Sequence, residues 1–220
     1  MKIHVVRGGG LCSNCFILES ETEEKLLIID LGLPGLLTKF SLKKAVNKIT
    51  QEKKEYEIEV FLTHCHVDHT TGSNNLKHYT NVTYSASELT SKHINTRDNV
   101  SLSRRYQLKI GFEVKKVYKD GDIINIDDTQ LKVIYAPGHT DGSAVLYETK
   151  GKNLFSGDVV FAGGGVGRMD FPTGNKQEMI QSLEKLSQLE LEGLYAGHGE
   201  EMFHNVQANI LNVKKMLEYW

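Results

Sequence analysis

Along the chain, short apolar runs alternate with segments whose apolar residues recur every three to four positions. Residues 3–6, 14–18 and 25–30 read as short strands separated by glycines and a charged turn. Between 36 and 53, Leu36, Leu37, Phe40, Ala45, Val46 and Ile49 have roughly helical spacing and predict a helix. A strand over 58–63 ends at His64, and a helix is expected over 72–79. A strand at 82–85 and a helix at 87–93 follow, with Ser85 or Ser87 near the cap. Residues 95–116 show no clear period and carry Arg97, Arg104, Arg105, Lys109, Lys115 and Lys116. Then 123–126, 130–135, 143–148 and 153–156 alternate or run apolar between turn signals, a second meander. An amphipathic helix over 176–189, a strand at 193–196 and a helix over 205–220 complete the order. The pattern is βββαβαβ followed by ββββαβα, two similar halves that fit an α/β four-layer αββα sandwich. No Pro/Ser-rich linker or repeat divides 1–220, so one domain is expected.

Composition narrows the function classes. Lys+Arg 26 against Asp+Glu 28 leaves a net charge of −2, so no global field favours nucleic acid or an anionic membrane. An apolar share of 40% with 25% charged residues is that of an ordinary globular protein. There is no 18-residue apolar run and no signal-peptide core, which argues against membrane spanning and secretion. Three cysteines, an odd number, cannot form a closed set of disulfides and point to a reducing, cytoplasmic compartment.

The nine histidines are not scattered. Thr63-His64-Cys65-His66-Val67-Asp68-His69-Thr70-Thr71-Gly72 follows a buried strand and leads into a helix, and it gathers imidazoles that bind zinc or iron beside a carboxylate. His64 and His66, two apart in extended chain, project to one side, whereas Asp68 and His69 sit where the chain turns, so two adjacent metal sites are a natural outcome. Further polar residues stand at later strand ends, each after a glycine: His139, Asp158 and His198. Glycine there lets the chain turn sharply and lets other segments approach a crowded centre.

With these motifs in place, the sequence resembles the metallo-β-lactamase superfamily over nearly its whole length. The resemblance implies the metallo-β-lactamase fold and two divalent metal ions, Zn2+ first among them, with Fe or Mn as other occupants. It assigns His64, His66 and His139 to one ion, Asp68, His69 and His198 to the other, and Asp158 to the bridge between them. Asp30, in an Asp-x-Gly turn, is placed behind the ligands rather than on a metal. The reaction implied is attack by a metal-bridging hydroxide on an activated acyl carbon of a small-molecule substrate, with Asp68 or Asp158 moving protons. No Gly-x-Ser-x-Gly appears, and none is needed.

The run from Phe155 to Gly174 resembles the glyoxalase II-like branch, which hydrolyses thioesters. Members acting on glutathione thioesters carry a further C-terminal helical region, and 22 residues follow His198, so a smaller thioester or a lactone is expected. The Thr63–Ser73 stretch is also similar to the sulfur-dioxygenase branch, which implies an alternative: persulfide oxidation with one iron on His64, His139 and Asp158. Phosphodiesterase chemistry has only the basic 104–116 stretch in its favour, which reads better as a solvated face. A non-catalytic metal-binding protein is the remaining class, and the full set of ligand positions argues against it.

Other signals carry less. Cys12-Ser13-Asn14-Cys15 lacks the second pair of a structural zinc site and reads as strand packing. Cys65 should point away from its histidine neighbours. Glycines 163–167 lack a nucleotide-binding pattern and read as close backbone packing beside Asp158. Arg168 either pairs with Asp170 or reaches substrate, with the internal pair preferred. His4, His78, His93 and His204 are assigned to the surface or to positions behind the ligands, and Tyr219 and Trp220 to packing.

Overall fold

The computed structural model describes residues 1–34 and 41–219. Lys2–Val6 (β1), Cys15–Glu19 (β2) and Lys25–Ile29 (β3) form an antiparallel meander. Glu57–Leu62 (β4), Val82–Ser87 (β5) and Lys116–Tyr118 (β6) extend it in parallel to six strands in the order β1-β2-β3-β4-β5-β6. In the second sheet, Ile123–Ile126 (β7), Thr129–Tyr135 (β8), Ala144–Glu148 (β9) and Asn153–Gly157 (β10) are antiparallel, and Gly193–Ala196 (β11) joins β10 in parallel. Parallel neighbours need crossovers, which here carry helices Leu42–Thr50 (α1), Val67–Thr70 (α2), Glu88–Thr96 (α3), Ser103–Tyr106 (α4) and Lys176–Ser187 (α5). Val206–Tyr219 (α6) follows β11.

Alternate residues of each strand enter different layers. Phe16 and Leu18 join Leu27, Ile29, Phe61, Leu131, Val133 and Phe155 between the two sheets. Their neighbours Ile17, Leu26 and Ile28 face α1 and α3 through Leu42, Val46 and Ile94. On the far side, Val145, Leu154 and Leu194 meet α5 and α6 at Met179, Leu183, Val206 and Ile210. The layers are therefore α, β, β, α, as the element order predicts. Because central strands are covered on both faces they read as runs such as Leu26–Ile29, not as clean alternation. Each such fully buried side chain contributes about 1.5–3 kcal/mol.

Several details depart from expectation. In place of a helix over 72–79, α2 begins at Val67 and runs into a 3-10 turn over Thr71–Leu76. A Cβ at Gly72 would collide with the Leu31 carbonyl, and Asn75 Nδ2 donates to Gly72 O at 2.8 Å, a local bond that competes with the helical ladder. The earlier start puts Asp68 and His69 inside a helical turn. Ser87, not Ser85, caps α3, its Oγ accepting from Thr90 N at 3.3 Å. The unreadable 95–116 stretch contains α4 and leads into β6, with Ile110, Phe112 and Val114 buried and Arg104, Arg105, Lys109 and Lys115 exposed. Leu36, Leu37 and Phe40 of the predicted first helix lie outside the described residues, as does Trp220. Tyr219 is exposed and does not pack as expected. Cys65 faces the α1/α3 layer, and Cys12 and Cys15 are buried thiols. Among the described residues no helix is long and apolar enough to cross a membrane.

Candidate metal centre

Seven side chains singled out in the sequence meet where strands of both sheets end. His64 and His66 follow β4, with Asp68 and His69 in α2; His139 follows β8, Asp158 follows β10 and His198 follows β11. Two glycines make this possible. Gly157 has φ 50°, and a Cβ there would lie 2.5 Å from Thr63 Oγ1. A Cβ at Gly197 would collide with Asp158 Oδ1 and lie 2.7 Å from His69 Cε1.

The donor atoms cluster tightly. His139 Nε2 lies 3.2 Å from His64 Nε2 and 2.9 Å from His66 Nδ1. Asp158 Oδ1 is 3.2 Å from His69 Nε2, and Asp68 Oδ2 is 3.2 Å from His198 Nε2. Three overlapping groups, His64/His66/His139, His64/His69/Asp158 and Asp68/His69/His198, each keep their ligand atoms within 4.8 Å of one another.

Hydrogen bonds behind the rings decide which nitrogen carries a lone pair. His139 Nδ1 lies 2.7 Å from the Arg168 carbonyl, which only accepts, so Nδ1 donates and Nε2 faces inward unprotonated. His69 Nδ1 likewise donates to Asp30 Oδ2 at 2.7 Å. Thr63 Oγ1 donates to the same carboxylate at 2.8 Å and so accepts from His64 Nδ1 at 3.1 Å. Asp30 Oδ1 accepts from Thr63 N at 2.9 Å, and the residue holds φ 60° at the end of β3. Asp30 thus stands behind the centre and fixes two rings through Thr63 and its own carboxylate.

Burial and neighbouring charge shape the protonation states. Burial, with the surrounding imidazoles, pushes His64 well below the usual imidazole range, and burial takes His66 to about 3. Burial also lowers His139, outweighing its attraction to Asp158. His69 is the exception: burial lowers it, but Asp158, Asp30 and Asp68 together raise it well above the ordinary value. Burial raises Asp158, yet His69, His139 and His198 hold it well below the usual carboxylate range. His69 Nε2 and Asp158 Oδ1 are buried and face each other at 3.2 Å without hydrogen-bond geometry, and neither has a hydrogen-bond partner among the described residues. Such orphaned atoms cost about 1–3 kcal/mol each. A divalent cation relieves both, and inward lone pairs beside ionised carboxylates are the donors it requires, so the residues fit the metal implied by the sequence.

Arg168 makes the internal pair, donating to Asp170 through Nε at 2.9 Å and Nη2 at 2.6 Å, while its carbonyl anchors His139. The glycine run packs most closely at Gly167, where a Cβ would collide with the Asp158 carbonyl oxygen and lie 2.5 Å from His139 Nδ1, and less so at Gly165; Gly163 and Gly164 face open space. Three supports had no local signal in the sequence. Asn14 Nδ2 donates to the carbonyls of Ala196 and Gly199, both at 3.0 Å, holding the His198 loop. Thr63 relays between Asp30 and His64. His93 is buried between Asp98 and Asp141, at 2.7 and 2.9 Å, and so ties the segment after α3 to the His139 loop. In front of the centre opens a cavity of about 370 Å³, walled by Leu11, Leu33, Leu102, Leu108, Phe161 and Phe171 among others.

The family described as the Metallo-beta-lactamase superfamily matches residues 8–198. A probable metallo-hydrolase of Methanocaldococcus jannaschii is 30% identical over 201 residues, 89% of this chain and 91% of its own. The hydroxyacylglutathione hydrolase GloC of Haemophilus influenzae is 28% identical over 211 residues, 90% of this chain and 91% of its own. The crystal structure of the B3 metallo-beta-lactamase BLEG-1 matches with a TM-score of 0.78 at 19% identity, covering 98% of this chain and 99% of that one, a likeness of fold.

Proposed function

Because the chain belongs to the metallo-beta-lactamase superfamily, we propose that it is a hydrolase holding two divalent metal ions, zinc first among them, and cleaving an activated acyl bond, a thioester or a lactone, in a small-molecule substrate. In this reading His64, His66 and His139 would hold one ion and Asp68, His69 and His198 the other, with Asp158 able to serve both, its Oδ1 3.2 Å from His69 Nε2 and its Oδ2 3.7 Å from His139 Nε2. Bound there, the ions lower the pKa of water toward neutrality and polarise the carbonyl oxygen. The chain's own contribution is orientation and proton handling. Asp30, Thr63 and the Arg168 carbonyl keep the ring nitrogens aimed inward. Asp68, with its side chain 25% exposed at the cavity, is placed to take up a proton and pass it to solvent. The apolar walls limit water around the reacting group.

The observation that carries this reading is the set of three rings, His64, His69 and His139, each held from behind at Nδ1 so that Nε2 faces the centre. The names of the Methanocaldococcus and Haemophilus relatives support hydrolysis, and the second supports a thioester. Three free, buried cysteines support a reducing, cytoplasmic setting. Elemental analysis of the purified protein, paired with thioester, lactone and persulfide substrates, tests the proposal. Two zincs with thioester or lactone cleavage are expected, and Asp158→Ala should lose both an ion and turnover. One iron with persulfide-dependent oxygen uptake, or an Asp158→Ala protein with two tightly held ions and full turnover, overturns it.

A further inference from the structure

One motif of the sequence lies beside the metal centre without supplying a ligand. Cys12 and Cys15 are buried free thiols where the chain enters β2. A Cβ at Gly32, which holds φ 65°, would lie 2.9 Å from Cys12 Sγ and 3.4 Å from Cys15 Sγ, so both sulfurs press on one bare Cα. A cleft of about 10 Å³ adjoins them, lined also by Arg7, Ser13, Gly32 and Asn75, with room for one small polar molecule. Ser13 Oγ is buried without a hydrogen-bond partner among the described residues. The two residues between the thiols hold the Asp68 and His198 side of the metal centre. Ser13 N donates to the Asp68 carbonyl at 3.4 Å and Asn14 N to the Gly197 carbonyl at 2.7 Å, and the Asn14 side chain holds the carbonyls on either side of Gly197 and His198.

We infer that Cys12 and Cys15 are a modification site for a small peroxide, and that the disulfide they form loosens the ion assigned to Asp68, His69 and His198. The effect on the ion rests on the two-ion reading above; the disulfide does not. The cleft admits hydrogen peroxide but not a bulky organic disulfide, and Ser13 Oγ is the free group there to hydrogen-bond it. Burial raises both thiols, Cys15 the further, while Leu33 N donates to Cys12 Sγ at 3.2 Å and offsets part of the effect, so Cys12 reacts first. Its sulfur attacks one peroxide oxygen, the O–O bond breaks, and the released hydroxide leaves with the thiol proton as water. The Cys15 sulfur then displaces hydroxide from the Cys12 sulfenic acid, which leaves with the Cys15 proton as a second water. The two thiols lose two electrons and the peroxide gains them. An S–S bond of about 2.05 Å contracts the loop between the sulfurs and draws Ser13 and Asn14 off their carbonyls. In a reducing compartment such a bond is transient, which suits a sensor of sustained peroxide.

The test compares the metal-loaded protein with its thiols reduced and after hydrogen peroxide, each sample then unfolded and alkylated. Mass spectrometry should find the peptide holding Cys12 and Cys15 unalkylated and two hydrogens lighter after peroxide, with Cys65 alkylated. In a chelator titration of the folded samples, the ion removed first should leave about tenfold more readily after peroxide and the other ion should be unchanged, as when a partner that orients a metal ligand is displaced. Dithiothreitol followed by added metal should restore the reduced behaviour. Cys12→Ser and Cys15→Ser should each abolish the peroxide effect on the ion, and Cys65→Ser should keep it. Alkylated Cys12 and Cys15 after peroxide, Cys12 carried to the sulfinic acid with no disulfide, or a disulfide that leaves the release of both ions unchanged overturns the inference. If no acyl substrate is cleaved while the disulfide still loosens one ion, the hydrolase reading fails and this inference stands.

Discussion

The two halves of the metal centre are built differently. His64, His66 and His139 are each at most 2% exposed, and the first and last are held from behind by Thr63 and the Arg168 carbonyl. Asp68 and His198 have side chains 25% and 27% exposed, and the His198 loop depends on Asn14 reaching across from the β1–β2 connection. His69 belongs to the shallow group but shares the deep group's support, through Asp30. The deep half is therefore formed by the sandwich itself, whereas the shallow half is completed by loops. Ion affinity should follow that division.

The largest effect should come from removing one ligand of each half. His139→Ala should cost about a thousandfold in kcat/KM, the rate equivalent of the several kcal/mol a Lewis acid supplies. It should also lose the more tightly held ion. His198→Ala should cost less and lose only the ion removed first by a chelator. Equal losses in rate and ion content would abolish the distinction between the halves.

The supports come next. Asp30→Asn keeps the size of the side chain and suits the positive φ, but it presents an amide N–H₂ where donors converge. Rate or ion affinity should fall about 10–100-fold, as for partners that orient metal-binding histidines. Asn14→Ala should weaken only the less tightly held ion, by about tenfold, on the same ground. Chelator titration followed by elemental analysis separates the two. An Asn14→Ala protein that loses both ions together would show that the His198 loop is not independently held.

The smallest effect concerns the clamp on the His139 loop. Burial raises the Asp98 carboxyl, but the hydrogen bond and charge of His93 outweigh this and hold it below its ordinary value of 3.8. A carboxyl depressed on folding stabilises fully above its unfolded pKa and loses that contribution as pH falls through the folded value. Asp98→Asn retains the cap on Val100 N but not the charge. Its Tm should fall below that of the parent at pH 6, and the gap should close below pH 3.8. A gap that persists into strong acid would mean that the charge is not what holds the clamp.

The layer order and nearly every long element could be read from the pattern of apolar positions, because buried strands and amphipathic helices carry their own periods. β6 could not: it is three residues long and exists as a strand only through pairing with β5. The seven clustered side chains were also visible, four in one motif and three after glycines. Of their supports, Asp30 was reached through the family resemblance, but the contacts it and Asn14 make were hidden for one reason. Asp30 meets Thr63 and His69 across 33 and 39 residues, and Asn14 meets Ala196 across 182, and no local pattern records such distances. Arg168 illustrates the point: its side chain invited a functional reading, yet its carbonyl is the group that touches the site.

The seven side chains are divided between the sheets, with His64, His66, Asp68 and His69 on the first and His139, Asp158 and His198 on the second. During synthesis the first four emerge before any strand of the second sheet exists. A nascent chain therefore presents a partial cluster of imidazoles to the cell long before β10 and β11 pair. The set of donors is complete only when β11 pairs with β10 and brings in His198.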